Sequence, residues 1–172
     1  MGTKVARGDG GEVAVRKFPD RPIVGVGAVV LDGDGHVLLA KRAHEPLQGE
    51  WSLPGGGVEL GEPLEVAVAR EVLEETGLVV VVGPVVEVLD RVQHADDGRV
   101  EYHFVIIDYL CYATDTRLVC GSDADETRWV RPDELEAYRL TEKATSVINK
   151  ALAIDALKQR VPEGTRGNTT PS

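Results

Sequence analysis

The run Gly55-Gly56-Gly57-Val58-Glu59-Leu60-Gly61-Glu62-Pro63-Leu64-Glu65-Val66-Ala67-Val68-Ala69-Arg70-Glu71-Val72-Leu73-Glu74-Glu75-Thr76-Gly77-Leu78 passes from three glycines into a helical pattern. Leu64 to Thr76 reads as a helix, and Gly77 stands where a left-handed C-cap belongs. At 100° per residue, Glu71, Glu74 and Glu75 occupy positions i, i+3 and i+4 and share one face. Leu64, Ala67 and Val68 fall on that same face, one to two turns earlier. Val66, Ala69 and Leu73 lie opposite, which predicts a helix packed on both sides with a recessed acidic patch.

Carboxylates held ~5–6 Å apart repel by about 0.8 kcal/mol per pair in water and about 3 kcal/mol at an effective dielectric of 20. Arg70 can approach Glu74 at i+4 and relieves part of this. A hard divalent cation relieves the rest, because Mg²⁺ takes carboxylate oxygens together with waters and phosphates. The preceding glycines fit the same chemistry, since bare backbone can approach a metal or phosphate closely. An acidic helix after a flexible loop is the plainer alternative, and glutamate clusters alone are common. The whole pattern is not. It fixes Gly56, Glu62, Arg70, Glu71, Glu74, Glu75 and Gly77, with aliphatic Val72 and Leu78. At roughly 6% usage per fixed position, chance occurrence is on the order of 10⁻⁸.

Outward from this stretch, short β-type runs alternate with helical ones. Ile23 to Leu31 and Val37 to Ala40 read as strands joined by a hairpin at Asp32-Gly33-Asp34-Gly35. Leu78 to Leu89 reads as one strand, or as two broken near Gly83-Pro84. Glu101 to Ala113 is apolar on both faces and belongs in the middle of a sheet. Thr127 to Val130 is a short strand, followed by a brief helix near Asp133–Ala137. A last helix runs from about Thr141, its N-cap, to Lys158. The fold class expected is α/β, a mixed sheet between helices. Residues 1–20 read as a flexible arm, 21–160 as one domain and 161–172 as a disordered polar tail.

The chain has 172 residues and a net charge of −10, which disfavours nucleic acid as a partner. It carries no apolar run long enough to span a bilayer, so no membrane partner is expected. Met1-Gly2-Thr3-Lys4-Val5-Ala6 is too polar for a signal peptide, and Cys111 and Cys120 read as reduced thiols of a cytoplasmic protein. An acidic protein can still hold a small polyphosphate if metal ions stand between the two.

The Gly56–Leu78 pattern resembles the signature of the Nudix hydrolases at every defined position. Leu38-Leu39-Ala40-Lys41-Arg42, Gly49-Glu50-Trp51-Ser52-Leu53-Pro54 and Glu126-Thr127-Arg128-Trp129-Val130 are similar to other parts of the family. The resemblance implies a Nudix-type α/β/α sandwich that cuts phosphoanhydride bonds with Mg²⁺, or Mn²⁺ as a substitute. It implies Glu71 and Glu75 as metal ligands and Glu74 as a further ligand or the base, which makes Glu71 and Glu74 the catalytic candidates. It also implies that the Gly55 carbonyl completes the metal site. Arg70 would orient the glutamates, Glu62 would brace the loop, and Gly56 would support the turn. Arg42 and Lys41 are candidates for binding substrate phosphate, and Glu126 for an extra carboxylate at the substrate.

His103 reads as a packed or pocket residue, and Trp51 and Trp129 as packing rather than base-stacking groups. His36, His44 and His94 fall in turns or loops and carry no argument. The implied substrate is a small nucleotide, a nucleoside diphosphate linked to a further moiety such as ADP-ribose or a nucleotide sugar. Nucleoside triphosphate clean-up is the alternative, and a catalytically silent binding module is a third reading. A homodimer is compatible with all three.

Overall fold

The computed structural model describes residues 17–42, 49–119 and 124–160. Residues 1–16, the tail 161–172, Cys120 and His44 lie outside the described residues. The elements are β1 (Ile23–Leu31), β2 (Val37–Arg42), β3 (Trp51–Ser52), β4 (Gly55–Gly57), α1 (Leu64–Thr76), β5 (Val80–His94), β6 (Val100–Ala113), β7 (Ala124–Val130), a 3₁₀ helix (Pro132–Tyr138) and α2 (Glu142–Arg160).

The described strands form one mixed sheet in the order β3-β2-β1-β6-β5, with β4 also pairing β1 and β7 pairing β2. β1 runs parallel to β6 over its whole length, and the other pairings are antiparallel. β6 is an interior strand, flanked by β1 and β5, as its apolar run on both faces requires. The two faces of β1 feed two cores. Val26, Ala28 and Val30 pack with Ala67, Val68 and Val72 of α1, while Val29 and Leu31 pack with Val147, Ile148 and Ala151 of α2. The sheet therefore lies between the two helices, the α/β/α arrangement expected.

One open alternative is decided, and three expectations change in detail. β5 is one strand through Gly83-Pro84, with its ladder to β6 interrupted between Val82 and Val85. Proline lacks the N–H a ladder needs, and an edge strand tolerates that. The glycine run Gly55–Gly57 is a short strand on β1 rather than a loop, and His94 closes β5 rather than lying in a turn. Lastly, α1 packs on one side only. Ala67, Val68, Val72 and Thr76 are buried, whereas Val66 and Leu73 are 55% and 48% exposed. No described element covers that outer stripe.

The turns follow their residues closely. In the β1–β2 hairpin, Asp32 Oδ1 accepts the amides of Asp34 and His36, and Gly35 takes φ 81°. Thr141 Oγ1 accepts the amide of Ala144 at 3.2 Å, the N-cap expected for α2. Lys17 and Phe18, read as part of the arm, are fastened to β6 through Glu101, by a 3.1 Å ion pair and a 2.8 Å backbone bond. No described helix is long and apolar enough to cross a membrane.

The burial pattern makes a paired prediction. Leu110 on β6 is fully buried, and Val88 on β5 is 57% exposed. Leu110→Ala should cost about 2–5 kcal/mol in chemical denaturation. Val88→Ala should change stability by less than about 0.5 kcal/mol. Equal losses in the two variants would contradict this assignment of strand faces.

Candidate active site

The acidic face of α1 is assembled by one arginine. Arg70 Nε donates to Glu62 Oε1 at 2.8 Å and Nη2 to Glu62 Oε2 at 3.0 Å, a bidentate pair. Nη2 also donates to the Gly57 carbonyl at 3.0 Å. Nη1 reaches Glu71 Oε1 at 2.9 Å and Glu74 Oε2 at 3.2 Å. The guanidinium thus ties the turn before α1, strand β4 and two glutamates of the helix together. Glu62 receives the Glu59 amide as well, at 3.0 Å, and this closes the turn at Gly61. The Arg70 bonds, with the Glu59 amide, hold the Glu62 carboxyl down at about 2. The bond from Glu62 raises the Arg70 guanidinium above its ordinary value, against the effect of burial.

β4 supplies the other side of the site. A Cβ on Gly56 would lie 2.3 Å from Glu71 Oε2, so the missing side chain is what lets Glu71 rest on the loop. The Gly55 amide donates to Glu75 Oε2 at 3.1 Å. Gly55 has φ 153° and packs on Val26 and Gly27 so closely that a Cβ would stand 2.2 Å from the Val26 carbonyl. The Glu71 side chain is 13% exposed and that of Glu74 48%. Two of the three glutamates are therefore recessed as expected, and Glu74 is not.

The remaining candidates are more dispersed. Lys41 and Arg42 end β2, where Lys41 stands opposite Glu126 of β7. Glu126 Oε1 accepts Arg128 Nε at 2.7 Å. Trp51 packs edge-on against Tyr138 at 5.2 Å between ring centres, and Trp129 Nε1 donates to the Thr116 carbonyl at 3.0 Å. His103 is half-buried on β6 opposite Val92.

Two groups went unremarked in the sequence. Asp32, Asp34 and His36 converge in the β1–β2 turn, but their bonds to one another close that turn. Asp108 is 5% exposed within the apolar run of β6, and burial pushes its carboxyl up to about 6. A lone aspartate between Ile107 and Tyr109 was the signal that could have marked it.

The NUDIX domain model matches residues 21–151. The chain belongs to the Nudix hydrolase family. It is 39% identical over 106 residues to an ADP-ribose pyrophosphatase of Methanocaldococcus jannaschii, a match spanning 59% of this chain and 60% of that protein. It is 30% identical over 118 residues to the nucleoside triphosphatase NudI of Salmonella agona, covering 64% of this chain and 84% of the relative. Among solved structures, a MutT NUDIX hydrolase from Burkholderia pseudomallei superimposes with a TM-score of 0.65 at 32% identity, over 76% of this chain and 98% of that one.

The residues on this face suit a hard divalent ion. Glu62, Glu71 and Glu74 gather on one guanidinium, Glu75 lies beside them on the Gly55 amide, and the bare Gly56 lets the Glu71 carboxylate rest against backbone, an oxygen-rich donor set of the kind Mg²⁺ takes.

The Arg70–Glu62 pair gives a pH prediction. A carboxyl whose folded pKa is depressed contributes stability above its unfolded value and loses it as pH falls through the folded one. The stability difference between wild type and Glu62→Gln should therefore persist above about pH 4.5 and vanish toward pH 2. Carbon NMR of the Glu62 carboxyl should titrate near 2 in wild type and move upward in Arg70→Ala. A Glu62 titration unmoved by Arg70→Ala would contradict the pairing.

Proposed function

We propose that this chain hydrolyses the phosphoanhydride bond of a nucleoside diphosphate joined to a further moiety, such as ADP-ribose or a nucleotide sugar, with Mg²⁺ held by Glu71 and Glu75. The observation that carries the reading is the Arg70 network, which presents Glu71 at Gly56 while Gly55 anchors Glu75. The Gly55 carbonyl is proposed as a further oxygen ligand. Bound Mg²⁺ would neutralise charge on the phosphoryl oxygens and lower the pKa of an attacking water.

The protein's own groups then have distinct tasks. Arg70, its donors committed to Glu62, Glu71, Glu74 and Gly57, keeps the glutamates oriented. Glu74 is the most exposed of the three, and it is proposed to take the proton of the attacking water. Water oxygen bonds to one phosphorus, the bridging P–O bond breaks, and the second phosphate leaves with the bridging oxygen. Arg42 and Lys41, at the end of β2, are proposed to hold the far phosphate, and Glu126 to face the substrate beside them. Likeness to the archaeal ADP-ribose pyrophosphatase supports the diphosphate reading. Likeness to NudI keeps nucleoside triphosphates as the second reading.

A panel of ADP-ribose, UDP-glucose and dGTP with Mg²⁺, followed by product analysis, tests the substrate class. ADP-ribose yielding AMP and ribose 5-phosphate supports the first reading, and preferential cleavage of dGTP the second. Glu75→Gln should lower kcat by at least a hundredfold while leaving the melting temperature within a few degrees. Mg²⁺ at a hundredfold excess over its Kd should stabilise wild type by about 2.7 kcal/mol. That gain should be lost in Glu71→Gln/Glu75→Gln, and near wild-type kcat in Glu75→Gln would overturn the ligand assignment.

A further inference from the structure

The sheet face turned away from α1 carries a patch of bare backbone. Val26 and Ala28 of β1 pack toward α1 and Val29 toward α2, so Gly25 and Gly27 belong to the α2 side. They pair with Gly57 and Gly55 of β4, which places four glycines together. A Cβ built at Gly25 would meet the Gly56 carbonyl at 3.1 Å and no other atom within 4 Å, although Gly25 and Gly27 are themselves buried in the sheet.

Asp108 borders this patch. Tyr109 and Cys111 point toward α1 and Leu110 toward α2, which puts Asp108 on the glycine side, in register with Gly27. Its Oδ1 lies 2.1 Å from where a Gly27 Cβ would stand, so the carboxyl leans over β1 in the direction of β4. Although Asp108 is 95% buried, no described residue gives it a hydrogen bond or ion pair. Its neighbour on β5, Glu87, is by contrast paired with Lys150 of α2. A buried carboxyl without a donor is costly. Two strand spacings, about 10 Å, separate Asp108 from Gly55. Glu75 bonds Gly55 from the α1 side, so a substrate joining the two would pass around the outer edge of β4, which pairs only β1 among the described strands.

We propose that Asp108 is a specificity-determining residue, which accepts adjacent N–H or O–H donors from the nucleoside part of the substrate lying on the floor formed by Gly25, Gly27, Gly55 and Gly57. This rests on the reading of the site as a nucleotide hydrolase. The donors are either the amino edge of a base or the hydroxyls of a sugar. Gly27 is the complementary element, because any side chain there would occupy the position of the carboxyl.

The test compares wild type, Asp108→Asn, Asp108→Leu and Gly27→Ala by steady-state kinetics with ADP-ribose and dGTP, and by thermal melting. KM for the substrate that wild type cleaves should rise at least tenfold in all three variants, with kcat changed less than threefold. The melting temperature of Asp108→Asn should not fall, since the carboxyl makes no bond within the fold. IDP-ribose and dITP, which lack the base amino group, separate the two donor sources. If the amino edge is read, wild type already shows a raised KM for them; if sugar hydroxyls are read, its KM is unchanged and still rises on Asp108 substitution. Normal turnover with unchanged KM in the Asp108 variants, whether or not they melt lower, overturns this assignment alone. Absence of hydrolysis of ADP-ribose, UDP-glucose and dGTP alike by wild type overturns the parent reading and this one with it.

Discussion

Everything at the site depends on the fork of Arg70. A guanidinium offers five N–H donors in a fixed plane, and here five contacts leave it for Glu62, Glu71, Glu74 and the Gly57 carbonyl. A lysine could neutralise one carboxylate but could not span these directions at once. Glu75 is not among the Arg70 contacts and is held by the Gly55 amide. Carboxylate oxygens of one helix face are thereby set beside bare backbone, the kind of oxygen donor a hard cation takes. The guanidinium that holds Glu71 and Glu74 also pins the turn before α1 to β4.

Glycine sets how closely these parts approach. At Gly56 the missing side chain admits Glu71 from the α1 side, and at Gly27 it admits Asp108 from the α2 side. The two positions belong to adjacent strands of one sheet, so the same paired backbone separates the proposed metal-binding face from the proposed nucleoside face. β1 makes this geometry by pairing β4 along its first half and β2 at its far end, with β6 alongside throughout. Bare backbone in the first half gives way to Val29, Val30 and Leu31 in the second, where two cores meet.

Much of this was legible in the residues. The spacing of Glu71, Glu74 and Glu75, the Gly77 cap and the apolar β1 and β6 runs each carry a strong periodic or turn signal, and the elements lie where those signals put them. The family resemblance supplied the bracing of the loop by Glu62, and the bidentate contact to Arg70 is how it is done. What periodicity could not supply was tertiary. Val66 and Leu73 looked like a second packed stripe, yet nothing described lies over them, because one helix face suffices to cover that side of the sheet. The strand character of Gly55–Gly57 depends on pairing with Gly25–Gly27, a contact some thirty residues away in sequence. Asp108 leaves no mark on the periodicity, because one charge does not disturb the pattern of an interior strand. Its significance appears only when Gly27 is found beside it.

The central claim is that the α1 glutamates, oriented by Arg70, are where this protein holds its divalent ion. The most direct measurement is an anomalous difference map from crystals grown with Mn²⁺, which also reports on the rival carboxylate–histidine group in the β1–β2 turn. The account predicts density between Glu71 and Glu75, beside Gly55, that disappears in Glu71→Gln/Glu75→Gln. Density confined to Asp32, Asp34 and His36, with none at α1, would contradict it.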